Sequence, residues 1–399
     1  MFFKYDKKKK KNLEEYKVVK GDELFIPPHQ WIEMVENFDK EDIIAYLSTK
    51  VEGLPFPHTR YTQQEKKSDW NKIKSEQQVI LEAEWSMPRC TLDEPHTYKG
   101  RYLYFDPTNN GLKVSNQFTE SIRVGVVHKQ YNSPLAQWTR EGFKSKRRVI
   151  FRPYWGMIDA SDGVNSKTLK RAIEVSCYKA TQFKPSLAKA LYNFFGAKKV
   201  LDPSSGWGDR LVGFLASDAE SYIGIDPNTK LHEPHQQIVD FCKTDKETKF
   251  ICSPSEEADL SDVKADFIFT SPPYFDIERY SKEDTQSSVR YPKLNDWLEG
   301  YLYSTLENCW GALEEGGRIA INISDTIRDN IIICQPMLDY MESLGAIYEG
   351  VIGHRISKRR GLNLNRANSC VSVFCEPIFI WSKGEAPEPK WNQDNFFNV

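Results

Sequence analysis

The stretch Lys199-Val-Leu-Asp-Pro-Ser-Ser-Gly-Trp-Gly-Asp-Arg210 reads as a short apolar strand that ends at Asp202, passes through a glycine turn and enters a helix. Working outward, the same alternation recurs. Short apolar runs at Tyr222-Ile-Gly-Ile-Asp226, Phe250-Ile-Cys252, Asp266-Phe-Ile-Phe-Thr270 and Arg318-Ile-Ala-Ile-Asn-Ile323 are separated by longer amphipathic stretches. These stretches predict helices near 208–217, 231–242, 294–313 and 331–344. Strands alternating with helices imply a parallel sheet with right-handed crossovers, because each helix must return the chain to the same sheet. Upstream, 167–178 and 185–195 read as two further helices, the second entered through Pro185 and closed at Gly196. Downstream, 347–356 and 371–381 are strand-like with no long helix between them, which predicts an antiparallel pair at one sheet edge. The expected architecture is a doubly wound α/β sheet of about seven strands.

A chain of 399 residues exceeds what one core usually holds, so two domains are expected, 1–160 and 161–399. The first is rich in aromatics, prolines and charges, with short candidate strands such as Arg101-Tyr-Leu-Tyr-Phe105, and reads as a mixed domain. The 40% hydrophobic content, with 13% aromatic, excludes wholesale disorder. Met1-Phe-Phe-Lys4 leads into lysines, and no run of about 18 apolar residues occurs, so neither a signal segment nor a membrane span is expected, and a cytoplasmic site follows. Eight cysteines without a CxxC read as reduced thiols. No metal is expected: Cys370 and Cys375 would face opposite sides of a strand, and His232 and His235 share a helical face without a third ligand.

The formal charge of −2 excludes a global basic footprint. Local positive clusters remain at Lys144, Lys146, Arg147, Arg148 and Arg152, and at Arg355, Lys358, Arg359, Arg360 and Arg366. The lysine run 7–11 reads as a solvated end.

Ligands of an open parallel sheet sit beyond the carboxyl ends of its strands. In the turn after Asp202, Gly206 and Gly208 remove two Cβ atoms where backbone would approach a ligand, and the following helix offers free N–H groups. Leu211 stands where the dinucleotide fingerprint has its third glycine, which weakens a pyrophosphate reading. Asp226, at the end of the next strand, has a carboxylate able to accept both hydroxyls of a ribose. Taken alone it would equally open the Asp226-Pro227-Asn228 turn. Together the two features suit an adenosine without a pyrophosphate.

Ser271-Pro272-Pro273-Tyr274 follows another buried run. Two prolines fix φ and lack N–H groups, so this loop is rigid and presents acceptors without competing donors. That suits an amino group on a base, whose nitrogen is a weak nucleophile because its lone pair is delocalised. The Ser271 side chain and the Pro272 carbonyl would hold its two hydrogens and aim the lone pair at an electrophile, while Tyr274 stacks on the base. A plain Pro-Pro turn is the bland alternative.

These residues resemble the amino methyltransferases of DNA, the N4-cytosine and N6-adenine group. Asp202-Pro203 with Gly206 and Gly208 is similar to that family's DPFxGxG turn, 271–274 to its (D/N/S)PPY loop, and Gln182-Phe183-Lys184-Pro185-Ser186 to its F-x-P stretch. The resemblance spans about 165–385. It implies a class I methyltransferase-like fold with S-adenosyl-L-methionine as cofactor, held by Phe183, Pro185, Asp202, Pro203, Ser204, Gly206, Trp207, Gly208 and Asp226. Ser204 and Trp207 depart from the family, which has Phe and a small residue there, so Trp207 is either cofactor packing or core.

The resemblance further implies a nucleic-acid substrate, DNA favoured over RNA and cytosine N4 over adenine N6, with no membrane partner. Phe275, Arg279 and Tyr280 continue from the loop toward a flipped base, and Arg355, Lys358, Arg359 and Arg360 are candidate phosphate contacts. An RNA base, a small-molecule or glutamine amine, and an inactive nucleic-acid-binding subunit remain alternatives.

Overall fold

A computed structural model describes residues 12–77, 79–92, 97–128, 131–140, 163–174, 177–326, 330–356, 373–390 and 396–398. Among them, eleven strands form one mixed sheet. They are β1 Ile80–Glu82, β2 Trp85–Ser86, β3 Leu103–Phe105, β4 Lys199–Asp202, β5 Ser221–Ile225, β6 Glu247–Ile251, β7 Ala265–Thr270, β8 Leu313–Asn322, β9 Ile347–Arg355, β10 Val373–Ser382 and β11 Phe396–Asn398. The spatial order is β11-β1-β3-β9-β10-β8-β7-β4-β5-β6, with β2 beside β10.

The strands β6, β5, β4, β7 and β8 are mutually parallel. β10 runs antiparallel to β8 and β9, between which it lies, and pairs in parallel with the short β2. Seven strands in this order and sense are the class I methyltransferase-like sheet. From β4 the chain goes outward through β5 and β6, then crosses back to β7 on the other side, so the switch point lies between β4 and β7. Their carboxyl ends carry the glycine turn and the Ser271–Tyr274 loop.

The period of two explains the layers. Phe267 and Phe269 pack on one side of β7 with Leu191, Tyr192, Leu211 and Phe214, while Ile268 packs on the other with Trp297, Leu306 and Met337. The helix Pro185–Phe195 starts at its proline and stops at Gly196, whose φ of 68° is the left-handed cap that glycine favours. Helices Asp209–Leu215, His232–Cys242 and Cys334–Ser343 follow the predicted spacing. The long helical run at 294–312 contains a π segment, Leu298–Tyr303.

Two expectations need correction. β9 and β10 are an antiparallel pair, but they are not the edge: β3, β1 and β11 continue the sheet beyond β9. The candidate strand at 101–105, read as part of the N-terminal mixed domain, supplies β3, whose Tyr104 pairs with Gly353. The division of the chain also differs from a cut at 160. One unit comprises Met1–Arg60 with Glu120–Ala180, the other Tyr61–Thr119 with Thr181–Val399. Residues 61–119 join the sheet unit because β1 and β3 complete backbone hydrogen bonding there, while Ile80, Leu103 and Phe105 bury in its core.

The first unit is chiefly helical among its described residues, with helices Pro28–Asn37, Lys40–Lys50, Pro134–Thr139 and Ser166–Glu174 around Trp31, Met34, Ile43, Leu47, Trp138 and Ile173. The Trp138 indole donates to the Leu54 carbonyl at 2.9 Å, and Lys170 is buried against Glu120, whose carboxylate also takes the Thr59 N–H at 2.7 Å. Among the described residues, no helix is long and apolar enough to cross a membrane.

Candidate active site

The glycine turn is tied to the end of β5 by its backbone. Ser205 N–H donates to the Ile225 carbonyl at 2.8 Å, Gly206 N–H to Asp226 Oδ2 at 2.9 Å, and His235 Nε2–H to the Gly206 carbonyl at 2.8 Å. Gly206 and Gly208 have φ of 52° and 76°. A Cβ on Gly208 would lie 2.6 Å from Ile238 Cδ1, so this glycine serves close packing. A Cβ on Gly206 would meet only the Ser204 carbonyl, at 3.7 Å, so its face is the open one.

Asp202 is fully buried. Its carboxylate accepts from Arg210 Nε at 2.8 Å and Nη2 at 3.2 Å, from the Tyr222 hydroxyl at 2.8 Å and from Ser204 N–H at 3.2 Å. A charge this deep persists only when paired and hydrogen-bonded. Asp202 therefore braces the turn from inside. Arg210 also donates to the Ser204 carbonyl, and its guanidinium lies 5.3 Å from the Phe183 ring centroid. Phe183 is half-buried, 5.6 Å from Phe269 and 6.1 Å from His354, and Pro185 opens the helix that follows. The Pro203 carbonyl accepts from the Ser255 hydroxyl, and Ser204 Oγ lies 3.2 Å from the hydroxyl of Tyr301, which belongs to the π segment. Trp207 is buried with its ring 5.9 Å from that of Tyr280.

Asp226 differs from Asp202 in its partners. Its oxygens accept from two backbone N–H groups, Gly206 and Asn228, both at 2.9 Å. Burial lifts its pKa to about 6, against the pull of those hydrogen bonds. A buried carboxylate with acceptor capacity left is where hydroxyl donors gain most. Burial holds the His235 pKa down to about 4, consistent with a neutral ring that braces Gly206. His232 Nε2–H donates to the Asp226 carbonyl at 3.0 Å, so both histidines support the turn.

Beyond β7, Ser271 is half-buried and Pro272 buried. Phe275 takes the left-handed backbone at φ 56° and buries its ring 5.8 Å from Trp297. It was expected to contact substrate; the structure makes it the apolar anchor of the loop's end, because so large a ring finds its burial in the core. Left-handed backbone in a bulky residue is strained and marks a held loop. Tyr274 donates to Glu376 Oε1 at 3.1 Å. Burial, and then the Glu376 carboxylate, push its hydroxyl well above the usual phenol range, against the pull of a hydrogen bond with Ser271.

Of the other expected contacts, Arg279 is exposed and the Tyr280 hydroxyl donates to Glu278. Arg355 is exposed at the end of β9 and pairs with Asp106 at 2.5 Å, so its charge is already matched. Lys358, Arg359, Arg360 and Arg366 lie outside the described residues, as do Lys144, Lys146, Arg147, Arg148, Arg152 and Cys370.

Two groupings escaped the sequence reading. Glu376 collects Tyr274, Ser324, His354 and Arg89 around one carboxylate. The available signal was a charged residue inside the apolar run Phe374-Cys-Glu-Pro-Ile378. Cys90, Asp325 and Cys334 have ligand atoms within 4.8 Å of one another. Asp325, however, already accepts from Thr91 N–H and hydroxyl and from the N–H groups of Ile333 and Cys334, at 2.6 to 2.9 Å, which makes it a brace between two segments.

No protein-family model matches the sequence, and no curated protein does. Solved structures resemble it over about half its length. TrmN from Thermus thermophilus is 16% identical, with 50% of this chain and 49% of that chain covered at a TM-score of 0.33. A SAM-dependent O-methyltransferase from Thermotoga maritima is 15% identical, with 53% and 70% covered and a TM-score of 0.33. A tRNA m1G37 methyltransferase from M. jannaschii is 15% identical, with 51% of each chain covered and a TM-score of 0.31. The chain thus spans about half of the first of these.

Proposed function

We propose that this protein transfers a methyl group from S-adenosyl-L-methionine to an exocyclic amino group of a nucleic-acid base, DNA before RNA and cytosine N4 before adenine N6. The observation that carries the reading is the placement of the glycine turn and the Ser271–Tyr274 loop at the carboxyl ends of the adjacent parallel strands β4 and β7. The residues fit the cofactor: Gly206 has an open face, and Asp226 is a buried carboxylate whose described partners are backbone N–H groups alone. Gly206, Trp207 and Asp226 would hold its adenosine, with Phe183 and Pro185 beside its methionine part. When bound, it supplies an electrophilic methyl group.

The chain's own residues then align the acceptor. The Ser271 hydroxyl and the Pro272 carbonyl accept the two amine hydrogens, and Tyr274 offers its ring to the base. Alkylation makes the nitrogen cationic and far more acidic than before, so loss of its proton needs no strong base. Target recognition then falls to the N-terminal part of the chain, to residues 275–293, or to both.

The test is mass spectrometry of nucleosides from DNA and RNA incubated with the protein and isotope-labelled cofactor. N4-methylcytosine in DNA is the expected product. Tyr274→Ala should nearly abolish transfer while cofactor affinity stays within several-fold, and full activity in that variant would refute the reading.

A further inference from the structure

Glu376 lies near the start of β10, directly across from His354 of β9 and two residues from Ile378, the partner of Asn322 on β8. Its side chain is only 13% exposed. Oε1 accepts from the Tyr274 hydroxyl and from the Ser324 hydroxyl, each at 3.1 Å, and lies 4.0 Å from the Arg89 guanidinium. Oε2 lies 4.0 Å from His354 Nδ1, and burial holds His354 below its ordinary pKa. A carboxylate this enclosed is costly unless it is paired and hydrogen-bonded, and these partners meet that need. Here four elements outside β10 converge on it, and one of them is the SPPY loop.

The consequence concerns the tyrosine ring. Proline fixes φ at 272 and 273, and Phe275 is anchored in the core, so the backbone on either side of Tyr274 is held. The Tyr274 side chain packs partly buried against the core, and its hydroxyl also hydrogen-bonds Ser271, so what the partners of the hydroxyl add is a fixed reach of the ring from the backbone. The phenol oxygen lies on the ring's own rotation axis, so a hydrogen bond there fixes where the ring is held, while packing against the core sets its plane. Ser324, donating to the same oxygen, fixes Glu376 in turn. We infer that Glu376 is a positioning residue for the proposed amino methylation: it holds the Tyr274 ring in place through the phenol hydroxyl, with Ser324 as its support. This inference rests on the reading of the SPPY loop as the reaction centre.

The experiment compares Glu376→Ala and Glu376→Gln in the full chain. Misalignment of a base costs rate more than binding, so Glu376→Ala should lower kcat by about 10- to 100-fold while KM for S-adenosyl-L-methionine stays within about twofold. Glu376→Gln keeps an acceptor oxygen and should restore kcat to within about threefold of the natural protein. A second measurement is independent of turnover: the Tyr274 hydroxyl is titrated by NMR of ring-labelled tyrosine, with its signal assigned by loss in Tyr274→Phe. Arg89, His354 and the neighbouring Cys334 also face this pair, so the titration is read as the difference between natural protein and variant. Both substitutions remove the negative neighbour and should lower the Tyr274 pKa.

Natural kcat in Glu376→Ala, or an unmoved Tyr274 titration, would overturn the inference. Should the natural protein methylate no DNA or RNA, the substrate reading fails by itself, and the Tyr274 titration alone then decides for or against the coupling to Glu376.

Discussion

Asp226→Asn separates what a buried carboxylate does for the fold from what it does for a ligand. Burial raises this carboxyl from its ordinary 3.8 to about 6. The folded value lies above the unfolded one, so its contribution to stability is complete below about pH 3.8 and is lost as pH rises through about 6. Two pKa units correspond to about 3 kcal/mol, the cost of carrying the ionised group at neutral pH. Asparagine never ionises, but it places an amide NH2 against one of the two N–H donors from Gly206 and Asn228. That mismatch costs about 1 to 2 kcal/mol. The variant should therefore be about 1 to 2 kcal/mol more stable than the natural protein at pH 7.5, and less stable by a similar amount at pH 4. Urea unfolding at the two pH values measures the change of sign. Ligand affinity should move the other way. Hydroxyl donors favour the ionised carboxylate, so affinity for S-adenosyl-L-methionine should rise as pH passes through about 6 in the natural protein. In Asp226→Asn it should be about 10- to 100-fold weaker at pH 7.5, with that pH dependence lost. A stability difference that is the same at both pH values would refute the raised pKa; an unchanged calorimetric affinity would refute the ligand role.

The two glycines of the turn should respond differently. In Gly208→Ala the new Cβ falls 2.6 Å from Ile238 Cδ1 on a backbone at φ 76°, which should cost about 2 to 4 kcal/mol in urea unfolding. Gly206→Ala pays mainly the left-handed backbone, about 1 to 2 kcal/mol, and should show its larger effect in calorimetric cofactor affinity. Arg210→Ala leaves the Asp202 carboxylate buried with only Tyr222 and a backbone N–H, and should cost about 3 to 5 kcal/mol. Arg210→Lys should rescue little, because one ammonium cannot make both guanidinium bonds; a loss below about 1 kcal/mol in Arg210→Ala would show that Asp202 is not dependent on it.

Much of the sheet was legible in the sequence because its signals are local. Pro185 and Gly196 mark the two ends of one helix, and the central run Phe267-Ile-Phe269 alternates between the two apolar layers as a period of two requires. The glycine turn and the SPPY loop could be placed at one sheet edge because parallel strands joined by helices all end on the same side. β1 and β3 were not assigned to this sheet. Each is three residues long, too short for a pattern, and besides pairing with each other they join β9 and β11, far away in the chain.

For the candidate site, the alternation of strands and helices by itself determined that the glycine turn and the Ser271–Tyr274 loop lie at one sheet edge. Tertiary structure alone decided what each side chain faces. Asp202 and Asp226 are both aspartates at strand ends, yet Arg210 and Tyr222 saturate the first while backbone N–H groups leave the second with capacity to spare. Phe275 is drawn into the core by Trp297, and Tyr274 is turned toward Glu376, a residue 102 positions away. Orientation depends on long-range burial and pairing, which no local pattern encodes.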